Sequence, residues 1–154
     1  MEKIIGFNDL KAGQRVKVKG KPGESGTFAA LEISVKAPAE YSEVEGLIQS
    51  FDAQKNTLRI MNRDLAVSGN VEIKTLQPNA SGLQALKAGD MIKLKGKYSE
   101  AQGFVPEKIK VKQSFGFNVE ELQGDINKID YEKKTLQVNG FTVVVNAKTT
   151  IEGF

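Results

Sequence analysis

Cysteine and histidine are both absent from the 154 residues. The first absence excludes disulfides, thiolate nucleophiles and most zinc sites. The second excludes Ser-His triads, the usual proton shuttle near neutral pH and imidazole-rich metal cages. Any remaining chemistry would rest on carboxylates, lysine, tyrosine or oxygen-ligated ions, and no spacing forms a nucleophile elbow, a phosphate loop or a metal pair. "DINKID" carries Asp125, Asn127 and Asp130 but lacks the glycine and the terminal glutamate of a calcium loop. The composition therefore predicts a protein that is not an enzyme, with no metal and no cofactor. Long apolar runs are missing too: no stretch approaches about eighteen residues. "MEKIIGFNDLKAG" has neither the apolar core nor the small-residue cleavage site of an export signal. Neither a transmembrane segment nor an export signal is expected in the chain as given.

What is present is the balance of a globular protein, 40% hydrophobic and 27% charged, with a net charge of +3. That mild excess is compatible with nucleic acid, anionic glycan, acidic lipid or simple solubility, and selects none of them. The informative feature is repetition. "LKAGQRVKVKGK" starts at Leu10 and "LKAGDMIKLKGK" at Leu86, and a constant shift of 76 aligns residues 10–36 with 86–112. "EGLIQSFDAQKNTLRI" overlays "QGDINKIDYEKKTLQV" with a shift of 78, matching Gly46 to Gly124 and Asp52 to Asp130. One unit has been duplicated.

Within each copy "RVKVKGK" and "MIKLKGK" alternate strictly, placing Val16, Val18, Ile92 and Leu94 on one face and charge on the other. "TFAALEISVK", "GFVPEKIKVK", "TLRIMN", "KTLQVNG" and "FTVVVNAKTTI" add β-branched and aromatic runs bounded by turn-forming residues. One helical signal interrupts them, "SGLQALKAG", with Ser81 as N-cap and Gly89 as a left-handed stop. The shorter "NDLKAG" predicts a single turn. The fold class expected is all-β: two OB-like five-stranded barrels from a tandem duplication, one continuous and one assembled from the N- and C-terminal segments. Residues 41–113 give three strands, a helix and a final hairpin, a complete barrel. Residues 1–36 supply a helical turn and a closing hairpin, and 119–154 supply three strands. Neither piece is stable alone, because a fragment of two or three strands exposes its ladder edges. The two pieces pair within one chain or exchange between chains, giving possible self-association. A cut into residues 1–76 and 77–154 remains open.

"FNDLKAGQRVKVKGK", "GTFAALEISV" and "VEGLIQSFDAQKNTLRI" resemble a bacterial family of duplicated small β-barrel (OB-like) domains of unknown function, through "LKxGxxVxVKG" and "xEGxIxxxD". The resemblance implies an exported protein of the periplasm or cell envelope, and implies no activity.

Gly46 and Gly124 fall mid-strand, where a bend is expected, and Asp52 and Asp130 fall where a side chain caps a turn. Phe28, Phe51, Phe104 and Phe141 fit alternation as core. Lys93, Lys95 and Lys97 on one strand face Lys108, Lys110 and Lys112 on the next, a repulsive arrangement that something must compensate. Glu43 and Glu45 on the neighbouring strand are the plain candidates. A sharper reading is an anion-binding surface. Single-strand binders of this fold frame a basic groove with the loops joining strands one to two and four to five. In the continuous barrel those loops bring Lys55, Lys97 and Tyr98 together, with Arg59 nearby. In the split barrel they offer Tyr131, Lys133, Lys134 and Lys21. The function expected is a non-enzymatic binding or assembly module, envelope-associated, with a protein or polyanionic polymer as partner. Single-stranded nucleic-acid binding through the basic loops is the alternative and is not favoured.

Overall fold

The computed structural model describes residues 3–52, 54–67, 71–75, 86–112 and 119–153. Their regular structure is extended apart from two single turns of 3-10 helix, Phe7–Asp9 and Glu24–Gly26. The first is the turn expected in "NDLKAG"; the helix expected after Ser81 lies outside the described residues. The strands in chain order are β1 (Lys3–Ile4), β2 (Arg15–Pro22), β3 (Thr27–Lys36), β4 (Ser42–Asp52), β5 (Thr57–Ile60), β6 (Arg63–Ala66), β7 (Glu72–Lys74), β8 (Met91–Ser99), β9 (Gly103–Lys112), β10 (Glu120–Asp130), β11 (Thr135–Val138), β12 (Phe141–Val144) and β13 (Thr150–Gly153).

Five of them close on themselves. The long strand β10 pairs with β11, β11 with β12, β12 with β3, β3 with β2, and β2 returns to β10. Every pairing is antiparallel except β12 with β3, where Thr142–Val144 run parallel to Thr27–Ala29. This barrel takes two strands from the first 36 residues and three from the last 36, so the ends of the chain complete one body. Beyond it β13 continues parallel to β3, and β1 seals β13 with Lys3 opposite Gly153.

The central strands repeat these neighbours with one exception. β4 pairs with β5 and β8, β5 with β6, β8 with β9, and β7 runs parallel to β9. Among the described residues no ladder joins β6 to β9. The sequence accounts for the difference. β9 has Pro106 where β3 has Ala30, and a proline, lacking an N–H, suits a strand edge. β6 begins Arg63-Asp64 where β12 begins Phe141-Thr142, and charge discourages edge pairing.

The two groups share one sheet. β10 pairs with β4 through Glu121–Glu45, Leu122–Val44 and Gln123–Glu43. Adding 78 to each β4 residue returns the same set of partners, so the join is its own image about a pseudo-twofold axis at Val44 and Leu122. Both are fully buried, and the apolar cluster runs without a break from Val18, Phe28 and Phe141 on one side to Leu58, Ile92 and Leu94 on the other. Each such side chain contributes roughly 1.5–3 kcal/mol when removed from water.

The repeated "LKAG" has a defined task. Gly13 and Gly89 have φ of 94° and 92°, a left-handed conformation that glycine adopts without penalty. The Gly13 N–H donates to the Ile126 carbonyl and the Gly89 N–H to the Ile48 carbonyl, each at 2.8 Å. Both acceptors sit where β10 and β4 are bulged, between Ile126 and Lys128 and between Ile48 and Ser50. The long strands therefore bend at these bulges, two residues beyond the glycines expected to bend them. Gly124 and Gly46 serve close approach instead. A Cβ on Gly124 would collide with the Asn139 side chain, and one on Gly46 would lie 3.2 Å from Met61 Cε.

Candidate ligand-binding surface

The lysine-rich hairpin β8–β9 holds Lys93 opposite Lys110 and Lys95 opposite Lys108, as alternation predicts. Much of the repulsion is compensated by neighbouring strands. Glu43 stands opposite Lys95 and Glu45 opposite Lys93 in the β4–β8 ladder, and the ion pairs form on the diagonal. Lys93 Nζ lies 3.5 Å from Glu43, and Lys112 Nζ 2.6 Å from Glu45. Lys108 meets Glu72 of β7 at 3.6 Å. Lys95 takes another route, its ammonium 4.4 Å from the centroid of the Tyr41 ring, a cation–π contact. Lys93, Lys95, Lys108 and Lys110 thus share one outer face with Lys74, around a groove of about 200 Å³ that Glu43 and Glu72 also line.

The loop residues are distributed differently. Lys55 and Arg59 belong to the β4–β5 hairpin, and Lys97 and Tyr98 to the far end of β8. The β4–β8 register runs from Ser42–Gly96 to Leu47–Met91, which puts these two pairs at opposite ends of the ladder. Their described neighbours differ as well. Arg59 pairs with Asp64 at 3.1 Å, while the Tyr98 ring packs on the core and lies 3.5 Å from where a Cβ on Gly140 would be. In the closed barrel Tyr131, Lys133 and Lys134 follow β10 on the exposed β10–β11 turn. The Tyr131 hydroxyl donates to the Leu10 carbonyl at 2.7 Å and its ring meets Phe7 edge-on at 5.8 Å, so it braces the first 3-10 turn. Asp130 accepts the N–H groups of Glu132 and Lys133, and Asp52 those of Gln54 and Lys55, all at 3.0–3.2 Å. Both aspartates cap turns. Phe28, Phe104 and Phe141 are buried, and Phe51 is packed against the same core.

Several polar residues that matter were not singled out from the sequence, and all lie near the pseudo-twofold axis. Asn139 is buried in the β11–β12 turn, and its Nδ2 donates to the Glu43 carbonyl at 3.0 Å and the Gln123 carbonyl at 3.2 Å. Asn62 donates across the join to the Gly23 carbonyl at 2.8 Å. Arg63 lies 5.8 Å from the centroid of Phe141, its own counterpart under the 78-residue shift. Buried Arg15 donates to the Tyr41 carbonyl, fixing the segment that leads from β3 to β4. The one signal available was asymmetry between otherwise matching copies. Asn139 replaces Met61, Phe141 replaces Arg63, and Arg15 replaces Met91.

Glu120, at the start of β10, is displaced from the ordinary carboxyl range. Burial pushes it up, opposed by a backbone hydrogen bond and by the Lys21 charge. Among the described residues no group of acidic side chains is arranged to hold a metal ion, and no helix is long and apolar enough to cross a membrane.

Residues 2–34 match a family described as a domain of unknown function (DUF5666). The match covers β1, the first 3-10 turn, β2 and most of β3, which is the part of the closed barrel built around "LKAGQRVKVKG". No curated protein and no solved structure matches the chain.

Proposed function

We propose that the chain is a non-enzymatic binding module made of two OB-like barrels from a tandem duplication, residues 41–113 forming the continuous one and residues 1–36 with 119–154 the other. The strand order β10-β11-β12-β3-β2 follows the order of that fold with its last hairpin moved to the front of the chain. The central strands are read as the same barrel left unclosed between β6 and β9. The observation that carries this reading is the β4–β10 ladder, which fuses both groups into one sheet and so offers a partner a rigid, continuous outer face. The resemblance adds a bacterial, envelope-associated structural role. Exchange of terminal segments between copies would build the same barrel, and the oligomeric state in solution distinguishes the two assemblies. The loop-based nucleic-acid reading is weakened by Tyr98, whose ring packs against the core, while Tyr131 stays 45% exposed.

The test is a panel of purified polymers titrated into the full chain: acidic polysaccharide, neutral polysaccharide and oligonucleotide. Binding is read by hydrogen exchange, and polymer length before and after. A bound polymer of unchanged length that protects the sheet face is expected. Turnover of any polymer overturns the non-enzymatic reading, and absence of binding across the panel at low salt overturns the module.

A further inference from the structure

The two groups of strands carry matching outer grooves, and the match exposes a difference in charge. On the closed barrel a row crosses β13, β3 and β2 as Glu152–Ser34–Lys17. On the central group the equivalent row crosses β7, β9 and β8 as Lys74–Lys110–Lys93. The same geometry thus holds an acid, a hydroxyl and a base in one place and three bases in the other. The next row changes in the same direction, with Lys108 where the closed barrel has Glu32. The closed barrel's groove is lined by three lysines against two glutamates, the central one by five against two.

Neighbouring strands lie about 4.8 Å apart, so the three ammonium groups start from backbone positions spanning roughly 10 Å. Like charges directly opposite each other destabilise a sheet. Of the three, Lys93 meets Glu43, whereas among the described residues Lys74 and Lys110 have no ion-pair partner. Both are exposed. Glu43 relieves part of this repulsion, at Lys93; the part between Lys74 and Lys110 would be relieved by an oxyanion-bearing chain laid across the strands. The face favours an acidic polysaccharide over a nucleic acid, because recognition of single strands draws on free aromatic faces. The ring beside this groove, Tyr41, has one face taken by the Lys95 ammonium.

We propose that the groove between β7, β8 and β9 binds an acidic polysaccharide through Lys74, Lys110 and Lys93, whose carboxylate or sulfate groups replace the missing counter-charges. This rests on the binding-module reading and gives it a ligand class. The experiment uses the full chain with alginate oligomers, dextran sulfate, neutral dextran and an oligothymidylate, titrated at low and high salt. Two double variants with the same change in net charge are compared: Lys74→Gln with Lys110→Gln, and Lys19→Gln with Lys36→Gln in the matching groove of the closed barrel. Both should keep the parent's unfolding midpoint, since all four side chains lie on the outer face. Alginate or dextran sulfate should bind, weakening with salt, and neutral dextran should not. The first variant should lose at least roughly tenfold in affinity, and the second less than about twofold. Lys110→Arg should retain binding. Equal losses in both double variants, or none in either, overturn the groove while leaving a binding module standing. An oligothymidylate bound more tightly than either acidic glycan overturns the ligand class. Failure of every polymer to bind removes the groove and the module together.

Discussion

The terminal barrel is closed although its strands come from opposite ends of the chain, whereas the central group is contiguous in sequence and, among the described residues, has no ladder between β6 and β9. Continuity along the chain therefore does not decide closure. What decides it is the character of two edges. The β12–β3 seam pairs Thr142–Val144 with Thr27–Ala29, whereas the matching edges carry Arg63-Asp64 on β6 and, next to the matching stretch of β9, Pro106, which lacks an N–H. The barrel made from separated pieces also bears the greater loop-closure cost, so it needs the better-made seam.

The difference can be broken most forcefully at the paired phenylalanines. Phe28 is fully buried in the closed barrel and its counterpart Phe104 is 5% exposed beside the open edge. Phe28→Ala is expected to cost about 3–5 kcal/mol in urea unfolding, and Phe104→Ala at least about 1 kcal/mol less, because an open edge can relax into the cavity. Equal losses would mean that the missing β6–β9 ladder has no energetic consequence. Next in size are the paired glycines. Gly124→Ala should cost about 1–3 kcal/mol, since Asn139 is held by two carbonyls and cannot withdraw. Gly46→Ala should cost under about 1 kcal/mol, because Met61 is flexible. Adding Asn139→Gly to Gly124→Ala should recover part of the loss, and a double-mutant cycle measures that coupling.

The smallest effect separates Glu120 from Ser42, the residue that the shift of 78 places in the same position. Burial raises the Glu120 carboxyl, so the folded state keeps its proton to higher pH than the unfolded chain does. Its contribution to stability is greatest below the unfolded carboxylate value and falls as pH rises through the raised one. Glu120→Gln should flatten this slope and leave the protein at neutral pH equal to or up to about 0.5 kcal/mol more stable than the parent. A steeper pH dependence in the variant would contradict the direction of the shift.

The strands, the alternation of Val16, Val18, Ile92 and Leu94, the turn-capping aspartates and the lysine hairpin were legible because each is a local pattern with period two or a fixed offset. The pairing of Glu43 and Glu45 with lysines was legible too, although the ladder partners and the ion pairs differ by a diagonal step. The bulges at Ile48 and Ile126 were not legible, since an extra residue in one strand leaves no mark on alternation until its partner is known. Nor were Asn139, Arg15 and Arg63, whose roles depend on a join between distant segments. The loop lysines and tyrosines were grouped by fold analogy. The ladder register instead sends Lys55 and Lys97 to opposite ends, and Tyr131 is spent bracing Leu10. The cation row at Lys74, Lys110 and Lys93 needed the parallel β7–β9 register, which sequence spacing does not supply.

The seal of β1 on β13 has a mechanical consequence. Lys3 stands opposite Gly153 and Ile4 opposite Glu152 in an antiparallel pair. A tether pulling on both ends loads that pair as a zipper, one hydrogen bond at a time, and then reaches β13 and β2, whose loaded ends Gly153 and Arg15 lie beside the same end of β3, so those ladders open by peeling too. Tension along the chain would therefore meet a succession of peeling steps, with the β1–β13 pair as the point that yields first.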